Sequence, residues 1–262
     1  MTAVAASLRT EVDARGVARL TLDRPARHNA FDGALVEALH GAVLALGHDP
    51  AVRVIVVTGA GETFCAGADL DHMRAMAEAS EAANYADALA LAEMLAALDE
   101  CPRPLVARVN GDAFGGGVGL IACCDIAIGM AGARFALSEV RLGLVPATIS
   151  PHVVAAIGSR ATRALALTGE RFDGERALAL GLLQATAADA AGLDAAVERV
   201  IGDLLEAGPL AQVEVKALVG EVTGAARDAA QRRSTSHRLA RLRVSQEARA
   251  RIATFLARRR RL

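Results

Sequence analysis

Phe64-Cys65-Ala66-Gly67-Ala68-Asp69-Leu70 and Asn110-Gly111-Asp112-Ala113-Phe114-Gly115-Gly116-Gly117 are the two stretches that decide how this chain folds. Each follows a β-branched apolar run, residues 54–58 and 105–109, and each precedes a helical pattern. A strand, a turn of small residues and a helix start leave backbone N–H groups without intrahelical partners. Two such turns set face to face aim two donors at one point, the electrostatic device that stabilises an oxyanion in acyl and thioester chemistry.

Outward from the turns, strands and helices alternate. Residues 16–22 read as a strand ended by Asp23-Arg24-Pro25, 35–46 as a helix, and 53–58 as a nearly all-apolar strand buried on both faces. Residues 70–98 read as one helix, closed by Pro102 and Pro104. A strand at 105–109, a short helix at 116–124 and a strand at 125–128 follow. From Pro151 onward only helical patterns are expected, the last at 225–259, with Leu239, Leu242, Ile252, Phe255 and Leu256 among many arginines. This is an α/β core over residues 1–200 with a helical module over 201–262.

Composition narrows the chemistry. The chain has 262 residues, 53% of them hydrophobic, no Trp and a net charge of −1, so neither nucleic acid nor an anionic membrane is its expected partner. The apolar stretch at 118–130 is too short to span a bilayer and is broken by Asp125. No secretory pattern opens the sequence. Cys65, Cys101, Cys123 and Cys124 show no metal-ligand spacing and read as reduced, small apolar residues in a cytoplasmic protein; no metal is expected. Gly115-Gly116-Gly117-Val118-Gly119-Leu120 lacks the last glycine of a dinucleotide fingerprint. There is no P-loop, no nucleophile elbow and no H-E-x-x-H, and the six histidines are scattered. One carboxylate stands out: Glu139, at the end of the apolar run Ala133-Arg134-Phe135-Ala136-Leu137-Ser138. Apolar surroundings raise a carboxyl pKa toward the range useful for proton transfer. The plainer reading of Glu139 is a loop residue paired with Arg141.

Together the Phe-Cys-Ala-Gly-Ala-Asp-Leu turn, the Asn-Gly-x-Ala-x-Gly-Gly-Gly turn with Cys-Asp-Ile downstream, and the Ala-Arg-Phe-x-x-x-Glu segment resemble the enoyl-CoA hydratase/isomerase (crotonase) superfamily. Asp23-Arg24-Pro25 followed by Asn29-Ala30 is similar to its N-terminal signature, and the resemblance covers nearly the whole chain. It implies a spiral of ββα turns with a C-terminal helical module that trimerises, giving a homotrimer or a dimer of trimers. It implies an oxyanion hole of the Ala68 and Gly116 N–H groups, with Glu139 as catalytic acid–base. It places Arg27, Ala66, Asp69, Leu70, Phe255 and Arg258 on the substrate or its CoA arm, the last two from a neighbouring subunit. CoA is then part of the substrate, and no separate cofactor is implied.

Family hydratases typically carry a second glutamate two positions past the glycine triplet. Here that position is Gly119, which moves no proton and is expected to leave room for a branched substrate or an ordered water. A single carboxylate fits an enoyl-CoA isomerase, and also a hydratase in which Glu139 deprotonates water and returns the proton to the α-carbon. A third reading is an inactive acyl-CoA-binding or assembly protein. Residues 114–125 and 135–151 resemble a bacterial branch that hydrates 3-methylglutaconyl-CoA in leucine breakdown. The second carboxylate of such a substrate calls for a cation, for which Arg141 and His152 are the nearest candidates in sequence.

Overall fold

The computed structural model describes residues 7–226 and 228–259, the side chains of 257–259 excepted. Contacts group the chain into two compact units, residues 1–202 and 203–262. The first begins with β1 (Leu8–Val12), β2 (Val17–Leu22), α1 (Gly33–His48) and β3 (Val54–Gly59). Then come α2 (Leu70–Ala77), α3 (Glu81–Asp99), β4 (Leu105–Val109), β5 (Ala113–Phe114), α4 (Gly116–Ala122) and β6 (Ile126–Met130). It continues through β7 (Arg134–Ala136), α5 (Ser150–Thr168), β8 (Phe172–Asp173), α6 (Gly174–Leu180), β9 (Ala185–Ala187) and most of α7 (Ala190–Glu206).

The main sheet runs β1-β2-β3-β4-β6-β9, with β1 antiparallel to β2 and every other pair parallel. All six residues of β3 are buried, as a central parallel strand requires. A smaller sheet, β5-β7-β8, pairs β5 parallel to β7 and β7 antiparallel to β8. Helix α1 packs on α3, and Leu35, Leu39, Met94, Leu95 and Leu98 join Leu20, Ile55 and Leu105 in one core. Both glycine turns leave the same end of parallel strands β3 and β4, which is why they meet.

The structure corrects three sequence expectations and adds a strand for which there was none. Residues 70–98 are two helices: Ser80 Oγ caps α3 by accepting from Ala83 N–H, while Asn84 Nδ2 donates to the Met76 and Ser80 carbonyls at the end of α2. The region after Pro151 holds two short strands, β8 and β9, both formed by tertiary pairing. The exposed, polar edge strand β1 had no apolar pattern to announce it. The last helical stretch is α9 (Ala229–Arg243) and α10 (Gln246–Arg259), separated where Ser245 Oγ accepts from Ala248 N–H.

In the second unit α8 (Pro209–Val222) and α9 have no buried residue. Arg238 ties them by ion pairs to Glu214 and to Glu221, the latter at 2.6 Å, and Glu247 accepts from the N–H groups of Leu210 and Ala211 at the start of α8. Val215, Val219, Leu239, Ile252, Phe255 and Leu256 are exposed. Among the described residues, no helix is long and apolar enough to cross a membrane.

Candidate active site

The turn at 64–70 and the turn at 110–117 are stitched together by backbone. Cys65 bridges Ala113, Phe114 N–H donates to the Cys65 carbonyl at 3.0 Å, and Phe64 N–H donates to the Asp112 carbonyl at 3.1 Å. Gly67 has φ +85°, and a Cβ there would stand 2.7 Å from the Phe114 oxygen and 3.5 Å from Gly116 N. No other residue type permits that approach. On the far side, Phe31 N–H donates to the Gly67 carbonyl and the Phe31 carbonyl accepts from Asp69 N–H, so that Ala68 is bracketed while its own N–H is left over. Gly116 is the first residue of α4, where an N–H has no intrahelical acceptor. Among the described residues, neither the Ala68 nor the Gly116 N–H donates to a protein acceptor.

The N-terminal signature explains itself here. Asn29 is fully buried; its Oδ1 accepts from Arg24 N–H and its Nδ2 donates to the Ala60 and Thr63 carbonyls. The Arg24 guanidinium reaches Asp32 at 2.7 Å and Asp69 at 3.1 Å, the caps of α1 and α2. Asp69 is 4% exposed, accepts from the N–H groups of Asp71 and His72, and does not line the cavity. Burial pushes its pKa up, but those donors and the charges of Arg24 and Arg27 outweigh burial and hold it low. The Asp69 carboxylate is thus engaged within the protein and holds the first turn in place.

A cavity of about 420 Å³ opens beside the two turns, lined by Ala66, Ala68, Leu70, Gly116, Glu139 and Ile149 among others. Glu139 begins a 3-10 turn, Glu139–Leu142, directly after β7 and is half-buried. A Cβ on Gly115, where φ is +49°, would be 2.9 Å from Glu139 Oε1, so the carboxyl lies against the glycine that precedes Gly116. Glu139 Oε2 is buried without a hydrogen-bond partner, and no ion pair joins Glu139 to Arg141 among the described residues. Burial raises the Glu139 pKa above the ordinary 4.5, only partly offset by a backbone hydrogen bond. Cys65, wholly buried behind the first turn, has its thiol pushed up to about 12 and stays neutral.

Two backbone donors with no acceptor, a raised carboxylate beside them and an apolar wall can hold a thioester oxygen and move a proton next to it. The family model described as enoyl-CoA hydratase/isomerase matches residues 13–261. The chain belongs to this family. An enoyl-CoA hydratase of Shewanella pealeana has a solved structure that superposes with a TM-score of 0.92 at 39% identity, covering 96% of this chain and 94% of that one. The enoyl-CoA hydratase AKT6-1 of Alternaria alternata is 37% identical over 203 residues, 78% of this chain and 66% of its own length. The 2,3-dehydroadipyl-CoA hydratase of Escherichia coli is 36% identical over 165 residues, 63% of each. The α/β core with its C-terminal helices is the crotonase fold.

Against that family frame, Gly119 is the informative departure, and it is not an empty place. Gly119 is buried in α4, and a Cβ there would lie 2.3 Å from Ile149 Cγ2 and 2.7 Å from Ile149 Cβ. Ile149 is itself 2% exposed. The space expected for a branched substrate or a water is therefore filled by Ile149, whose side chain lines the cavity instead. His152 does not line the cavity either; its Nδ1 faces Asp99 at 3.6 Å. Arg27 is exposed and paired with Asp71 at 2.8 Å, and Leu70 is 72% exposed at the cavity edge. Phe255 is exposed in the second unit, and the Arg258 side chain lies outside the described residues. Sequence reasoning missed Arg171, which lines the cavity and places its guanidinium carbon 5.6 Å from the centre of the Phe114 ring. The Thr168-Gly169 helix end before it was the available signal.

Two outcomes follow from this geometry. Gly119→Ala lowers stability by about 1–3 kcal/mol despite alanine's better helix propensity, because the new methyl overpacks against a buried β-branched residue. Denaturant titration of a cycle with Ile149→Ala should show the double variant recovering part of that loss. Glu139→Gln tests the burial. With its folded pKa raised, Glu139 favours the folded state fully below pH 4.5, and that contribution is lost as pH rises through the folded value. The glutamine variant is therefore more stable than wild type at neutral pH, and the difference closes in acid. Identical melting profiles across pH would contradict it.

Proposed function

We propose that this chain adds water to a 2-enoyl-CoA thioester, and that its substrate is the carboxylated 3-methylglutaconyl-CoA of leucine breakdown, acted on in the cytoplasm. The observation that carries the chemistry is the unpartnered, buried Glu139 oxygen set against the turn whose Gly116 N–H, with that of Ala68, has no protein acceptor. The two N–H groups hold the thioester oxygen as negative charge builds on it. Glu139 takes a proton from water as the water oxygen bonds to the β-carbon. It then delivers that proton to the α-carbon, and the enolate collapses back to the thioester. One water is added, and Glu139 ends as it began. The hydratases among the relatives support the reaction, and the dicarboxylic acyl group named for the E. coli relative supports a carboxylated substrate.

Ala66, Leu70 and Arg27 border the CoA arm in this reading, and Phe255 and Arg258 reach it from a neighbouring subunit of a homotrimer or a dimer of trimers. The exposed apolar residues of the second unit support assembly, since a monomer rarely leaves so many uncovered.

Purified protein incubated with crotonyl-CoA, a 3-enoyl-CoA and 3-methylglutaconyl-CoA, followed by mass spectrometry, tests the reading. A gain of one water is expected, greatest for 3-methylglutaconyl-CoA, and Glu139→Gln should lose about 10²–10⁴-fold in turnover. Double-bond movement without water replaces the hydratase with an isomerase; no turnover at all leaves a binding protein. Removal of residues 255–262 should weaken CoA binding and lower the assembly mass by light scattering. Unchanged affinity and mass would refute the role of this helix end.

A further inference from the structure

Glu139, Arg141 and Arg171 are the charged residues that line the cavity among those described. Several arginines of the first unit are held by acids: Arg24 by Asp69, Arg27 by Asp71, Arg108 by Asp194, Arg134 by Asp112, Arg176 by Glu170. Arg141 and Arg171 differ. Among the described residues neither guanidinium has a carboxylate within ion-pair distance or a hydrogen-bond acceptor.

The fold brings these two cations to one cavity from separate segments. Arg141 lies in the same 3-10 turn as Glu139, and its side chain runs across Gly169: a Cβ at that glycine, where φ is +60°, would be 2.9 Å from Arg141 Nε. Arg171 follows two residues later, just before β8, and stacks on Phe114, the residue preceding the Gly115 against which Glu139 rests. Pairing of β7 with both β5 and β8 sets this arrangement. Stacking on an aromatic face orients a guanidinium while leaving its N–H fork free. Leu142, Leu144, Val145 and Ile149 add apolar surface to the wall, and Ser138 and Thr148 line it without charge. The cavity thus carries two positive charges against one carboxylate, and its positive excess sits on the Glu139 wall.

We infer that Arg141 and Arg171 form an anion subsite that takes the distal carboxylate of a dicarboxylic acyl chain. The inference rests on the cavity being an acyl-CoA site, as proposed above. A neutral acyl tail offers these two groups nothing, whereas a carboxylate accepts from both, with charge-assisted bonds in a partly desolvated pocket. Arg141 and Arg171, not His152, are then the cations that select the substrate.

Equilibrium binding of glutaryl-CoA and butyryl-CoA, measured by calorimetry on the full chain, tests this without any chemistry. Both are saturated and differ in the terminal carboxylate. Wild type should bind glutaryl-CoA at least about tenfold more tightly, as a bond to a charged group requires. Arg141→Gln and Arg171→Gln should each cut that ratio severalfold, with Arg171→Lys keeping part of it. A ratio that stays the same in wild type and both variants overturns the inference. So does a parallel fall for both ligands, which assigns the arginines to the phosphates of CoA. Circular dichroism of each variant separates loss of fold from loss of the subsite. Because neither ligand can be hydrated, the result stands whether or not the enzyme adds water to enoyl-CoA.

Discussion

Everything at the site depends on how closely two backbone turns approach each other. A side chain at Gly67 would strike the Phe114 carbonyl, and one at Gly117 would stand 2.3 Å from the Cys65 carbonyl. With glycine at both positions, the turns come near enough for Cys65 and Ala113 to pair as strands do, which leaves the Ala68 and Gly116 N–H groups without acceptors. The turns are held in place by the buried Asn29 amide, the Arg24 fork on two helix caps, and the burial of β3 and β4 that launch them. Donors fixed in this way need no rearrangement if negative charge develops in the gap between them.

The second constraint is the exchange at Gly119 and Ile149. Gly119 is a bare helix position whose volume is taken by a side chain from thirty residues on. The exchange makes that wall of the cavity apolar and leaves Glu139 as the carboxylate among the described residues that line the cavity. The polar character of the cavity shifts to the opposite feature, the arginine-bearing wall formed by the 3-10 turn and the segment before β8. A pocket built this way carries one carboxylate and two guanidinium groups among its described lining residues.

The local signals in the sequence were strong where the backbone itself does the work. The apolar runs at 54–58 and 105–109, the small-residue turns after them and the end of β2 at Asp23-Arg24-Pro25 all read correctly, because strand burial and turn chemistry are written in adjacent residues. What was hidden depends on partners far along the chain. β9 exists because β6 offers it an edge, and Arg171 reaches the cavity through the β7–β8 pairing. The partner of the Asp69 carboxylate was hidden for the same reason: its neighbours in sequence line the cavity, while the carboxylate turns to Arg24. The filled place beside Gly119 had no local sign at all.

The central claim is that the Ala68 and Gly116 N–H groups together hold the thioester oxygen with Glu139 beside the reacting carbons. A crystal structure of the protein with bound butyryl-CoA tests it most directly. The account predicts the thioester oxygen at about 2.7–3.1 Å from both nitrogens, with the Glu139 carboxyl facing the carbons next to the carbonyl. A thioester oxygen that reaches only one of these nitrogens, or turns away from both, would contradict it.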